Sequence, residues 1–442
     1  MKYIFIILLS LWLGGCSSKK TDPAKMVLKP ENSNLGIYDL QKIPQNAQSY
    51  LKNIIVSPLK VTQDNYEKNY FRAWLKMPSD TKETVMWPFR AYKVGGSYGE
   101  NLQPLTENFF IEMKDNANFD QYKSIHKNAL TLGLLNIRAF PTSKPLLHDP
   151  SQAGEGFPFD YMQNSTVCAN KPILISHYSK DKEWAYIFTS FTGGWVKVKE
   201  IVIVNKKYTK IWQKAKQIFL LKDGVPIYDT DGVFLFKSRI GMVLPLVDED
   251  EDGYTVLTVT SYKGLKPFYL KSKISKKIAS KGIIPFSNKN IISIMDQISK
   301  SKYGWGGIYE QRDCSSTLRD FYTPFGLWLP RNSSQQAKKG KIIKVGHLSE
   351  DAKIKLIKKQ AVPFKTLLHK KGHILLFVGI HKNKIVAFHN LWGIKTKKNF
   401  KEGRFVIGKA IFSTLKVGSH RIDYDKDAEI LRNIQSINIL SR

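Results

Sequence analysis

Between residues 134 and 272 the chain reads almost wholly as short strands, and this narrows most sharply what it can fold into. LGLLNIRAFP, PILISHY, EWAYIFTSF and GGWVKVKEIVIV alternate or run apolar, with turns between them. From 206 to 272 the pattern repeats in AKQIFLLKDGVPIYD, GVFLFKSRIGMVLPLVDEDEDGYTVLTV and PFYLK. Short strands closely punctuated by turns predict small all-β units. After residue 276 the period changes. NKNIISIMDQISKSKYG places Ile291, Ile294, Met295 and Ile298 at helical spacing, with Asn288 and Asn290 as candidate N-caps. A helix at Cys314, another at Ser333 and then a run of strands follow. Helices first and strands after imply an α+β domain.

The first residues bear on location. Lys2 precedes an apolar run from Tyr3 to Leu13. The run is shorter than the ~20 residues a membrane-spanning helix needs and fits a secretory signal over residues 1–16. Leu13-Gly14-Gly15-Cys16 resembles a bacterial lipobox, which implies a lipidated Cys16. Three acyl chains on one residue anchor stably, since each buried methylene contributes about 0.8 kcal/mol. Ser17-Ser18 puts no acid after the cysteine, and by resemblance to lipoproteins of two-membrane bacteria that implies the periplasmic side of the outer membrane. Residues 17–35 are polar and read as a tether. Residues 36–133 show mixed helical patterns. NYFRAWLKMP at 69–78 carries aromatics that must pack on something, so this segment is expected to be a mostly helical or irregular clasp.

A chain of 442 residues predicts about three domains. Its net charge of +32 invites nucleic acid as a partner, but only 11 of the 69 basic residues are Arg. Nucleic-acid readers lean on Arg and on clustered patches. Scattered lysines instead imply a solvated surface, or attraction to anionic envelope polymers through the summed field. The acidic run Asp248–Gly253 matches half a calcium loop, but Val259 stands where the bidentate acid should be. It lies between two strands and reads as a hairpin turn. No metal or cofactor is expected. With Cys16 used by the anchor, Cys168 and Cys314 remain, too few for a disulfide framework. Cys168 reads as a small buried apolar side chain.

Cys314 has a chemical context. Asp313 is a plausible N-cap, which puts the thiol in the first turn of a helix, where the dipole lowers a thiol's pKa. Cys314, Leu318 and Phe321 also share one helical face, so a core role is equally consistent with the spacing. His373 starts the strand HILLFV and His389 ends IVAFH, 16 residues on. A hairpin centred on His381 would set them directly opposite, on one face. One imidazole could then act as base for the thiol and the other orient it.

Four motifs in order, YGWGG…RDCSS, GLWLPRNSSQQAKKG, GHILLFVG and FHNLWGI, resemble those of the NlpC/p60 cell-wall cysteine peptidases. KDKEWAYIFTSFTGGWVKVKEI is similar to a bacterial SH3 domain, and the second strand-rich unit resembles another. The resemblance implies a clasp over 36–133, SH3-like domains at 134–205 and 206–275, and a papain-like catalytic domain at 276–442. It implies a γ-D-glutamyl–meso-diaminopimelate endopeptidase acting on peptidoglycan stem peptides; a monomer is expected. Cys314 matches the nucleophile, His373 the base and His389 the orienter. Tyr303 matches a tyrosine near the reacting carbonyl. Asp313, Ser315 and Ser333 match contacts to the L-Ala amine and the D-Glu; Ser333 could equally be a helix N-cap. Arg331 matches by position only. Ser316 departs from the family's frequent Gly. In the family the first SH3 unit narrows the cleft to stems with a free N-terminal L-Ala, but its acid and tyrosine are not identifiable here. Two rival readings are a non-catalytic cell-wall-binding lipoprotein, and an amidase or acyltransferase on the same fold.

Overall fold

The structure is a computed structural model that describes residues 36–262 and 266–440. The signal segment, Cys16 and the tether lie outside the described residues. Among the described residues no helix is long and apolar enough to cross a membrane.

The clasp is a series of short helices, several begun by a threonine cap. Thr62, Thr81 and Thr106 each accept an amide of the first turn, satisfying donors a helix leaves unpaired. Two stretches do the clasping. Ile43, Ala47, Tyr50, Leu51 and Leu59 join the core of the C-terminal domain with Ile291, Phe321 and Phe388. Tyr66, Tyr70, Phe71 and Trp74 pack with residues of both strand-rich units. The NYFRAWLKMP aromatics are therefore an inter-domain core. Two of them also find polar partners: Trp74 Nε1 donates to Ile173 O (2.8 Å) and Tyr70 donates to Val243 O (3.0 Å).

The first strand-rich unit is a seven-stranded antiparallel sheet. It begins earlier than residue 134. Lys127–Thr131 pairs with both Pro172–Tyr178 and Ile201–Ile203, because buried Ala129 and Leu130 belong to the sheet's interior. The second unit opens with a helix, Lys206–Lys214, absent from the strand reading. It also ends later than residue 275, since Ala279–Lys281 pairs with Gln217–Leu220. The acidic run joins two of its strands. Asp250 accepts the amides of Asp252 and Gly253 and pairs with Lys273, so it is a hairpin turn.

The C-terminal domain places helices against a six-stranded sheet. The helix Asn288–Ile298 is capped by Ser287, not by Asn288 or Asn290. Asn288 is used otherwise: it donates to Leu51 O and Ile54 O and accepts from Val56 N, tying the clasp down. The strands His373–His381, Lys384–Lys398 and Lys401–Thr414 are consecutive neighbours, and Lys401–Thr414 is the sheet's outer strand.

Candidate active site

Cys314 opens the helix Cys314–Tyr322. Asp313 caps it with a reciprocal pair: its carboxylate accepts Ser316 N at 2.8 Å, and its own amide donates to Ser316 Oγ at 2.9 Å. Ser316 thus has a function that glycine could not supply. The ends of the preceding loop are fastened. Arg312 forks onto Asp223 of the second SH3-like unit (2.6 and 2.9 Å) and also meets Asp320 farther along the cysteine helix. Asn390 donates to Arg312 O.

His373 Nε2 lies 2.8 Å from His389 Nδ1, and His389 Nε2 lies 2.8 Å from Ser413 Oγ. The direction of these bonds is set from the far end. The Ser413 hydroxyl donates to Thr414 O at 3.0 Å, so its oxygen accepts from His389 Nε2–H. His389 Nδ1 then accepts from His373 Nε2–H, and the lone pair of His373 is left on Nδ1. These protons are assigned from the network rather than observed. The backbone amide of Ile374, next to His373, favours the ionised form of the Cys314 sulfur.

The histidines are not directly opposite. The turn falls at Lys382–Asn383, both with positive φ, and His381 pairs with Lys384. A bulge between Phe377 and Gly379 shifts the register by one residue. His389 thereby falls diagonally from His373 on the same face.

Electrostatics differ from the expectation of a thiolate. Burial pushes the Cys314 thiol up to about 12, and the Asp313 carboxylate adds to the effect. Burial pushes His373 down to about 3, helped by nearby Lys370. The helix start does not offset the lost hydration, so burial favours the neutral thiol and the neutral imidazole at rest. A thiolate would be favoured by Arg331 and the amides of Ile374 and Ser315, and an imidazolium by Asp313, but burial outweighs both.

Arg331, to which its position alone assigned no role, is central. It is buried, forks onto Asp313 (2.6 and 3.2 Å), reaches Ser315 Oγ (3.0 Å) and bonds Ser165 Oγ of the first SH3-like unit (2.6 Å). Asp313 is held well ionised by this guanidinium despite its burial. Ser315 is buried, and its hydroxyl donates to Asp313. Ser333 begins a short helix whose cap is Asn332, not Ser333. Tyr303 lies in the field of Cys314, Asp313 and Tyr161; burial and the two acids raise its hydroxyl well above the usual value.

The first SH3-like unit closes over this site. Gly306 and Gly307, both at positive φ, let the loop before Cys314 touch Gln163 and Thr166. Phe159 and Tyr161 pack on Trp305, and Phe159 also meets Trp392. Tyr161 donates to Glu155 at 3.0 Å.

Four family models match the chain. They are the NLPC_P60 stabilising N-terminal domain over 5–122, an SH3 domain of SH3b1 type over 145–197, one of SH3b2 type over 205–251, and the NlpC/P60 family over 300–381. Among solved structures, an NlpC/P60 endopeptidase from Photobacterium damselae subsp. piscicida is similar over 90% of this chain and 97% of its own, at 22% identity and a TM-score of 0.75. That similarity speaks to the fold. An NlpC/P60 family protein from Bacillus cereus ATCC 10987 is similar over 63% of this chain and 82% of its own, at 14% identity and a TM-score of 0.43, too distant to argue from. No curated protein matches the chain in sequence.

Proposed function

We propose, from a chain that belongs to the NlpC/P60 family, that it hydrolyses the γ-D-glutamyl–meso-diaminopimelate bond of peptidoglycan stem peptides. The observation that carries the reading is the chain of contacts from His373 through His389 to Ser413, with the Ile374 amide next to His373 acting on the Cys314 sulfur. Cys314 Sγ attacks the γ-carbonyl carbon as its proton passes to His373 Nδ1. Charge separation develops only as attack proceeds, with the negative charge moving onto the former carbonyl oxygen and the positive charge onto the His373 imidazolium. The tetrahedral adduct collapses, the C–N bond breaks, and the imidazolium proton goes to the diaminopimelate amine. Water then attacks the thioester with His373 as base, releasing the acid and restoring the thiol. His389 keeps the base in one tautomer.

We assign the narrowing of the cleft to Glu155 and Tyr161, whose hydrogen-bonded pair sits beside Trp305 and near Tyr303. Asp313 is largely occupied by Arg331, Ser315 and Ser316. One lone-pair direction on Oδ2 remains for the L-Ala amine, with Ser315 and Ser333 toward the D-Glu. The same reading places the enzyme on the periplasmic side of the outer membrane, anchored through Cys16.

The test is mass spectrometry of purified stem tripeptide or tetrapeptide incubated with the protein. Release of L-Ala-γ-D-Glu, lost on N-acetylation of the stem, is expected. Cleavage at any other bond would overturn the assignment.

A further inference from the structure

We propose that Asp39 and Gln45 of the N-terminal clasp are positioning residues for the histidine pair, acting through the strand that carries Ser413. The inference rests on the proposed thiol–histidine chemistry for its kinetic part and on geometry alone for the rest.

Ser413 fixes the direction of the whole hydrogen-bond chain, so its placement matters to every bond upstream. It lies on the sheet's outer strand, Lys401–Thr414, which has no strand neighbour on its far side. The clasp supplies what a neighbour would. Gln45 acts as a miniature strand: its Nε2 donates to Phe412 O at 2.7 Å, and its Oε1 accepts from Phe412 N at 3.1 Å. Asp39 takes the next outward amide. Its Oδ2 accepts from Thr414 N at 3.1 Å and from Thr414 Oγ1 at 2.9 Å. The two clasp residues therefore hold the positions on either side of Ser413. Thr414, pinned by Asp39, also provides the carbonyl that receives the Ser413 hydroxyl.

The clasp is itself seated firmly at this point. Gln45 Nε2 also donates to Ile43 O at 3.0 Å, which sets its rotamer. Tyr50 stacks on Phe412 with ring centroids 5.4 Å apart. An outer strand without these contacts would rely on one neighbour only, and a shift of about 1 Å in a catalytic constellation can cost on the order of 100-fold in rate. The physical chain thus runs from Asp39 and Gln45 through Phe412 and Thr414 to Ser413, His389 and His373.

The test uses the full chain with Asp39→Ala, Gln45→Ala and the double substitution. Asp39→Asn keeps a carbonyl oxygen for Thr414 and is the rescue. Stem-peptide kinetics should show kcat lowered about 10-fold or more in the double variant, with KM within twofold, and Asp39→Asn near wild type. Imidazole nitrogen resonances are the second readout and need no substrate. Wild type should show His389 protonated on Nε2, and the double variant a mixture of tautomers. Unchanged kcat and unchanged His389 resonances in the folded double variant would overturn the proposal. So would an equal loss in Asp39→Asn and Asp39→Ala. If wild type cleaves no stem peptide while its His389 signal still responds to the clasp substitutions, the positioning stands and the substrate assignment fails. Should the double variant not fold, the single Gln45→Ala carries the same two readouts.

Discussion

His373 and His389 share a face of the sheet because the hairpin that carries them holds one extra residue, Val378, between Phe377 and Gly379. Were Val378 paired across the hairpin instead of bulged out, the turn at Lys382–Asn383 would leave the pair on opposite faces, since a one-residue slip reverses every side chain. Deleting Val378 keeps the pairs Phe377–Ala387 and Gly379–Val386 and so the shared face. Deleting Leu375, between the bulge and His373, should instead turn His373 to the other face and abolish peptide cleavage. The check is turnover, with circular dichroism to establish that the sheet persists.

The two histidines should differ in what their loss does. His373→Ala should lower turnover by about 10²–10⁴-fold, the usual cost of losing a general base. Cys314→Ala should remove it. His389→Asn or His389→Gln should retain measurable activity, since each keeps a hydrogen-bonding group beside His373. Wild-type rates in folded Cys314→Ala or His373→Ala would refute the mechanism.

Resting protonation is open to chemistry. With the thiol pushed up to about 12 and His373 down to about 3, Cys314 should react with iodoacetamide at pH 6 no faster than a simple thiol of ordinary pKa. Peptide mapping reads this directly. Fast labelling would mean a resting thiolate. The same shift enters stability. His373 has a depressed folded value, so its contribution is intact above the unfolded value of about 6.5 and is lost as pH falls from there toward about 3. The acid-side fall in Tm should be shallower in His373→Ala.

Arg331→Ala leaves Asp313 buried beside the nucleophile with its countercharge gone. Removing one partner of a buried pair costs about 3–5 kcal/mol, measurable by urea unfolding. Arg331→Lys should recover only part, because an ammonium cannot span both carboxylate oxygens and Ser165. A change under about 0.5 kcal/mol for Arg331→Ala would show that the buried pair does not stabilise the fold.

Gly307→Ala and Gly306→Ala should each destabilise by about 1–3 kcal/mol, but they should respond differently to a second change. A Cβ on Gly307 would lie 2.4 Å from Thr166 Oγ1, a side chain, whereas one on Gly306 would lie 2.4 Å from Gln163 O, a backbone atom. Thr166→Ala should therefore relieve part of the first loss. No residue substitution at Gln163 should relieve the second.

What the sequence made legible was local. Asp313 before Cys314 read as a cap because the pattern lies within four residues, and the aromatics of 69–78 read as a packing face because hydrophobic content is visible without a partner. Other features needed distance. Arg331 meets Ser165 across 166 positions, and Ser413 follows its histidine by 24; neither spacing has a motif. The even separation of His373 and His389 suggested a shared face, and they do share one, though through a displaced turn and a bulge that offset each other. Burial works against the lowered thiol pKa that the helix position suggests, and helix position is visible in sequence while desolvation is not. The hydrogen-bonded pair Tyr161 and Glu155 was not visible because it lies on a loop of a divergent SH3 unit, where polar residues carry no periodic signal.

The outer strand has one further consequence. Its outward groups from Gly408 to Thr414 are met by Tyr303 N, Ser301 O, Gln45 and Asp39. An unmet row of this kind is a template onto which a second chain can add itself. The segment that steadies the histidines is thus also a guard against self-assembly. A catalytic domain cut away from its first sixty residues would expose an adhesive margin, and its fate in solution would be decided there before any question of rate arose.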